Sequence, residues 1–308
     1  MAVTYVEIKD SPVFKDKFAT DLHIGVNVFI GGNGTGKTTL MKAMYKKIRT
    51  IEFHRTLPPT PGKIIFNDDK NELISDSVTT SIDNTENLHV VYIPEKDILE
   101  HAKGLLTFIE QKQTGFDDIY KGVIIAAQDV PTQKQSETQK SVGQKIAAVI
   151  GGDVRWDKGD GSFYTLKTDG SRVLFANEAS GYKKFGFLGL LVLSGQLESG
   201  SVLFWDEPEN SLNPELVPVL VGILLELSKS GVQVFIATHD YGLARYFDAR
   251  KDKSIPVMFH NMSKGDDGKV ICYSSDEYIN VPENLLETAS TELFKAVVAD
   301  AMGVHDDE

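Results

Sequence analysis

The run Gly31-Gly32-Asn33-Gly34-Thr35-Gly36-Lys37-Thr38-Thr39 constrains this chain more than any other feature. It satisfies every fixed position of the phosphate-loop pattern G-x-x-x-x-G-K-[ST]. Upstream, residues 23–30 alternate and then turn apolar, as a buried strand does. Downstream, residues 40–47 read as a helix. Strand, glycine loop and helix is the context the pattern needs. Glycines let backbone N–H groups turn inward around phosphate oxygens, and the helix start adds partial positive charge. Lys37 is then placed to reach the outer phosphates, and the Thr38 hydroxyl to bind Mg²⁺.

The chain of 308 residues suits one large domain or a domain with an inserted lobe. Its longest apolar runs, near 187–193 and 217–227, fall short of the roughly 20 residues that span a bilayer, so membrane insertion is not expected. The N-terminal residues show no basic stretch followed by an apolar core, so no secretion signal is expected. A single cysteine, Cys272, excludes an internal disulfide framework and fits a cytoplasmic location. A net charge of −12 argues against a generally basic nucleic-acid surface, though a local basic patch stays open. The acidic end at 305–308 reads as a solvated tail.

Along the chain, residues 3–30 predict two or three strands, with turns at Asp10-Ser11-Pro12 and around Thr20-Asp21. The helix after the glycine loop runs to about Ile51, and Pro58-Pro59-Thr60-Pro61-Gly62 is a break. Strands are expected at 63–67 and 88–93, and helix over 95–128 with an interruption at Thr114-Gly115. The polar stretch 131–141 reads as an exposed loop, and 144–150 as a short helix. Strands at 154–157, 162–168 and 172–176 are joined by Asp160-Gly161 and Asp169-Gly170, which are hairpin turns. A helix is expected at 180–197, and from 200 onward strands and helices alternate as in a parallel sheet. Residues 250–308 read as strand, turn at Gly265-Asp266-Asp267-Gly268, strand, and an amphipathic helix over 282–302. There is no internal repeat and no sustained heptad pattern.

Two further strand ends carry chemistry. Ser201-Val202-Leu203-Phe204-Trp205 is a buried-strand pattern ending in Asp206-Glu207-Pro208. Beside a phosphate loop, Asp206 is the candidate to hold Mg²⁺. Glu207, one residue on, is the candidate to polarise an attacking water. Residues 231–237 form another strand, ending in Thr238-His239-Asp240. A histidine at the carboxyl end of a parallel strand faces the ligand crevice and can hydrogen-bond a γ-phosphate.

The order of these segments, with Ser211-Leu212-Asn213-Pro214 after Asp206-Glu207-Pro208, resembles the ABC-type ATPase superfamily over most of residues 1–250. The segments look like its Walker A, Walker B, D-loop and switch-histidine motifs. The resemblance implies an α/β P-loop NTPase fold of ABC type: a mixed-sheet core, an antiparallel β-subdomain and an inserted, mainly helical lobe with a signature segment. On that reading 1–308 is a single domain. One lobe comprises about 1–94 and 200–308, and the inserted lobe about 95–199. Two segments compete for the signature. Ser194 in Leu193-Ser194-Gly195-Gln196 lies only 12 residues before Asp206, leaving no room for the helix the family places there. Ser180-Gly181 lies 26 residues before Asp206, and a helix fits between. Ser180 is therefore expected to cap that helix and to face the γ-phosphate of a partner subunit.

The Ser-Gly-x-x-Lys form of 180–184 is similar to standalone ATPases of the RecF/SMC/OLD-like branch, here without coiled-coil arms or a nuclease domain. Tyr92-Ile93-Pro94-Glu95 falls where the family's Q-loop joins the lobes, but no glutamine occupies the place. Gln111 is a weak substitute, and Glu95 reads as loop filler. The resemblance implies Mg²⁺-dependent ATP hydrolysis by a head-to-tail dimer. Asn33, Gly34, Thr35, Gly36, Lys37, Thr38 and Thr39 would hold ATP, Thr38 and Asp206 the metal, and Glu207, His239 and Lys37 would act in catalysis. Ser180 and Gly181 would act in trans, with Ser211 and Asn213 at the dimer seam. It further implies a motor or switch in DNA maintenance or defence against phage, with DNA or a separate effector protein as partner. A transporter's nucleotide-binding subunit and an ATP-binding module that barely hydrolyses are the alternatives.

Overall fold

The run Val26–Ile30, β-branched or aromatic except at Asn27, is buried at every position, as a strand covered on both faces requires. It sits inside a six-stranded sheet whose other members come from distant parts of the chain. The computed structural model describes residues 2–9, 11–15, 18–53, 64–65, 77–83, 89–96, 98–99, 102–110, 118–129, 131–132, 134–251 and 253–302. In chain order the elements are β1 (Ala2–Lys9), β2 (Phe18–Asp21), β3 (Val26–Ile30), α1 (Lys37–Phe53), β4 (Ile64–Ile65), β5 (Ser77–Asp83) and β6 (Val90–Ile93). Then come α2 (Ala102–Glu110), α3 (Asp118–Gln128), α4 (Glu137–Ile150), β7 (Gly152–Asp157), β8 (Ser162–Lys167), β9 (Arg172–Leu174) and α5 (Ser180–Leu193). The last part holds β10 (Val202–Asp206), α6 (Val217–Lys229), β11 (Gln233–Thr238), α7 (Tyr241–Arg250), β12 (Val257–Lys264), β13 (Val270–Ser275) and α8 (Leu285–Ala301).

The central sheet runs β13-β12-β3-β11-β10-β6. All its pairs are parallel except β12 with β13. A second, antiparallel sheet runs β2-β1-β5-β4, and a third, β7-β8-β9, is a meander between α4 and α5. This is the mixed-sheet α/β architecture the sequence led us to expect. In the parallel sheet, the carboxyl ends of β3, β10 and β11 fall at one edge: Ile30 pairs with Thr238, and Asp206 with Ala237. Open parallel sheets bind ligands at that edge. Phe204 and Phe235 stack at 4.7 Å across β10 and β11, in a core that continues to Phe29.

Four expectations need correction. Thr20 and Asp21 lie within β2; the chain turns after them, where Asn27 Oδ1 accepts the His23 N–H at 2.7 Å and Asn27 Nδ2 donates to His23 O at 2.8 Å. The stretch 131–141 is not wholly loop, because α4 begins at Glu137 rather than 144. Ser136 and Gln139 form a reciprocal capping box, so the polar residues there start a helix rather than avoid one. α5 stops at Leu193 rather than 197, with Ser194 as its C-cap. Finally, α8 buries no residue along its length, and Leu293, Phe294 and Val297 are exposed. The expected break at 58–62, the Thr114-Gly115 interruption, Gln111 and the tail at 305–308 lie outside the described residues.

Candidate nucleotide site

β3 delivers the chain into the glycine loop. Gly31, Gly34 and Gly36 have φ of 141°, 74° and 83°, a region that only glycine enters at no cost. A Cβ on Gly31 would also fall 2.3 Å from the carbonyl oxygen of Met262. Thr35 Oγ1 donates to Gly32 O at 2.9 Å and braces the loop from within. Asn33, Gly34 and Thr38 are exposed, while Thr35 and Lys37 are buried. Lys37 opens α1, and its Nζ donates to Gly31 O at 2.7 Å and to Gly32 O at 2.9 Å. Burial lowers the pKa of this ammonium, while the charges of Glu207, Asp206 and Glu209 oppose that shift.

β10 ends in Asp206, directly across from the loop. Thr38 Oγ1 donates to Asp206 Oδ1 at 3.0 Å, and the Tyr92 hydroxyl donates to Oδ2 at 3.2 Å. Burial raises the pKa of Asp206 in spite of those two bonds, and the nearby Glu207 and Glu95 push the same way. A carboxylate that burial disfavours, aligned with a hydroxyl, is a pair of hard oxygen donors suited to Mg²⁺. No cluster of three or more His, Cys, Asp or Glu side chains able to hold a metal occurs among the described residues. These two side chains would therefore form only part of a shell, which suits a cation that binds through one or two protein oxygens plus phosphate.

Glu207 turns the chain with φ of 46°, a left-handed value that is unfavourable for a residue with a side chain. Contacts with four residues hold it there. Its backbone N–H donates to Ala237 O at 2.9 Å. Lys184 Nζ donates to Glu207 O at 2.9 Å and to Pro208 O at 3.2 Å. His239 Nδ1 meets Glu207 Oε1 at 2.9 Å, with the two side chains 43% and 17% exposed. Asn210 Nδ2 donates both to Glu207 Oε2 at 3.2 Å and to Glu95 Oε1 at 2.9 Å. Glu95 is thus bonded into the carboxylate cluster and is not loop filler.

Ser180 is the first residue of α5 and is exposed. It does not cap the helix: Ala179 is the N-cap, and no side chain closes that end. Its hydroxyl is one residue too far along to fold back on the first turn. Gly181 lies against the following segment, where an added Cβ would come within 3.1 Å of Leu212 Cδ1 and 3.7 Å of Ser211 O. Ser211, with φ of 59°, and Asn213 are exposed beside it. Ser194, the rival, sits at the opposite end of α5.

Four contributors escaped the sequence reading: Tyr92, Lys184, Glu209 and Asn210. Lys184 stood out only as part of the Ser-Gly-x-x-Lys form. Glu209 follows the Asp206-Glu207-Pro208 segment directly, yet nothing local signals that its carboxylate is largely buried and accepts from Thr238 Oγ1 at 2.5 Å. Burial pushes its pKa up to about 6.

Residues 63–245 match the protein family described as "AAA domain, putative AbiEii toxin, Type IV TA system". No curated protein matches the chain. Among solved structures, an Smc head bound to the C-terminal winged-helix domain of ScpA is similar, with a TM-score of 0.52 and 15% identity. That alignment covers 93% of this chain and 100% of the other. An Smc head domain with an extended coiled coil, bound to the C-terminal domain of ScpA derived from Pyrococcus furiosus, gives 0.51 at 13% identity. It covers 96% of this chain and 99% of that one. At these identities the likeness concerns the fold.

Proposed function

The chain belongs to the AAA-domain family described as "putative AbiEii toxin, Type IV TA system", and from that premise we propose that it is an Mg²⁺-dependent ATPase working as a head-to-tail dimer. The observation that carries the reading is the meeting of three strand ends. Thr38 bonds Asp206, and Glu207 bonds His239, at the edge where the glycine loop opens. ATP lies along residues 33–39 of one subunit, and Ser180-Gly181 of the other closes over it. Lys37 exchanges the carbonyls of Gly31 and Gly32 for phosphate oxygens, which repay its burial better than neutral carbonyls do. Thr38 and Asp206 would hold Mg²⁺, which would supply charge neutralisation to the phosphates when bound. Glu207 accepts a proton from the attacking water. His239 lies beside the γ-phosphate and steadies the Glu207 carboxylate by donating to it from Nδ1. Ser211 and Asn213 lie at the seam between subunits, next to the signature they support.

What turnover accomplishes follows from resemblance alone. By analogy with the branch it resembles, the chain would act as a motor or switch in phage defence or DNA maintenance, through a separate partner chain or DNA; the family description itself names a putative toxin of a type IV toxin–antitoxin system. The division into a lobe of about 1–94 with 200–308 and an inserted lobe of about 95–199 belongs to the same proposal. The test is phosphate release from Mg-ATP by the purified chain, with and without DNA. Wild type should turn over, and Glu207→Gln should bind ATP but lose roughly 10²–10⁴ in rate, the usual worth of a positioned general base. Undiminished turnover in that variant would remove Glu207 from the role.

A further inference from the structure

We propose that Glu209 is a positioning residue that locks the His239 turn to the carboxylate loop; the proposal rests on the ATPase reading above. His239 is 43% exposed, so packing does little to fix its imidazole, and its backbone must do so. Of the residues that flank it, Thr238 bonds Glu209 directly and Asp240 bonds Thr238. Glu209 Oε1 accepts from Thr238 Oγ1 at 2.5 Å, and the same Thr238 oxygen accepts the Asp240 N–H at 2.9 Å. Asp240 Oδ1 in turn accepts the Leu243 N–H at 2.5 Å and caps α7. One carboxylate therefore anchors a chain of bonds that brackets His239 and runs into the next helix. Thr238 is wholly buried, so its hydroxyl cannot turn to solvent if the carboxylate is lost.

The arrangement is unfavourable on its own terms. Glu209 Oε2 is buried with no hydrogen-bond partner among the described residues. Packing alone would be served better by an apolar side chain. The carboxylate places its acceptor oxygen two residues from Glu207 and opposite the residue before His239. The bond joins the loop after β10 to the end of β11 directly. Without it, the loop that carries Glu207 loses a side-chain bond to the strand end that carries His239, and Asn210 and Lys184 hold only the Glu207 side of the contact.

The test uses the full chain and two readouts. In nucleotide-free protein, amide hydrogen exchange across 238–243 should quicken roughly tenfold in Glu209→Leu and in Thr238→Val, with the rest of the chain unchanged. In Mg-ATP, both variants should lose about 10- to 100-fold in kcat while ATP affinity stays within about twofold, because only the bracing of a catalytic group is lost. The double variant should be no worse than either single one. Glu209→Gln and Thr238→Ser, which keep the acceptor and the hydroxyl, should restore both readouts. Exchange and kcat equal to wild type in Glu209→Leu and Thr238→Val would overturn the proposal. So would a Glu209→Gln variant as slow as Glu209→Leu. If wild type failed to hydrolyse ATP, the ATPase reading would fall, and unchanged exchange in the two variants would separately refute the brace.

Discussion

Replacing Glu209 with glutamine should stabilise this protein at neutral pH, by an amount that vanishes in acid. The folded-state pKa of Glu209 is raised from 4.5 to about 6, chiefly by burial. The folded chain therefore holds this proton more tightly than the unfolded chain. The stability this confers is present at low pH and is lost as pH rises from about 4.5 to about 6. The rise from 4.5 to about 6, at about 1.36 kcal/mol per pH unit, makes the charged, folded Glu209 cost about 2 kcal/mol at pH 7.5. Glutamine cannot ionise, and its carbonyl oxygen can still accept from Thr238. Glu209→Gln should then gain about 2 kcal/mol over wild type at pH 7.5, or roughly 3 °C in Tm, and nearly nothing at pH 4. Urea unfolding of both proteins across pH 4–8 measures this. An advantage of the same size at every pH would mean that volume or packing, not ionisation, sets the difference, and would refute the reasoning.

Other expectations concern the site itself. Lys37→Ala should weaken ATP binding by roughly 10- to 100-fold in calorimetry, the worth of a hydrogen bond to a charged group; unaltered affinity would contradict the loop assignment. Lys184→Met removes the donor to Glu207 O and Pro208 O, and leaves the left-handed Glu207 held by fewer bonds. It should lower kcat by about tenfold with little change in ATP affinity, read in a steady-state assay. Tyr92→Phe deletes one of two donors to a buried carboxylate, so Asp206 should cost more to ionise and stability at pH 7.5 should fall by about 1–3 kcal/mol in urea unfolding.

The phosphate loop was legible because its parts are local. The strand pattern before Gly31, the glycines that need positive φ, and the helix from Lys37 all lie within one short stretch. Asp206 and His239 were legible for the same reason, as each ends a short apolar run. The three-strand meander of β7, β8 and β9 announced itself through its Asp-Gly turns, where Gly161 and Gly170 have φ of 71° and 84°. What escaped was set by contacts between distant residues. Glu95 joins Asn210 across 115 positions, and Tyr92 joins Asp206 across 114. Glu209 reads as an ordinary surface carboxylate until β11 is laid beside it. Ser180 misled in the other direction: a serine at a helix start suggests a cap, yet the helix begins one residue earlier than that role requires. The onset of α4 was hidden by composition, because Gln, Ser and Thr suit a loop and a capping box equally well.

In the proposed dimer, two copies of the chain enclose ATP between Lys37 of one and Ser180 of the other. Sedimentation velocity of Glu207→Gln, with and without Mg-ATP, tests it most directly. The variant should be a dimer with Mg-ATP, and adding Ser180→Arg, an exposed position, should return it to monomer while ATP still binds. A Glu207→Gln protein that binds ATP and stays monomeric, or a dimer indifferent to Ser180→Arg, would contradict it.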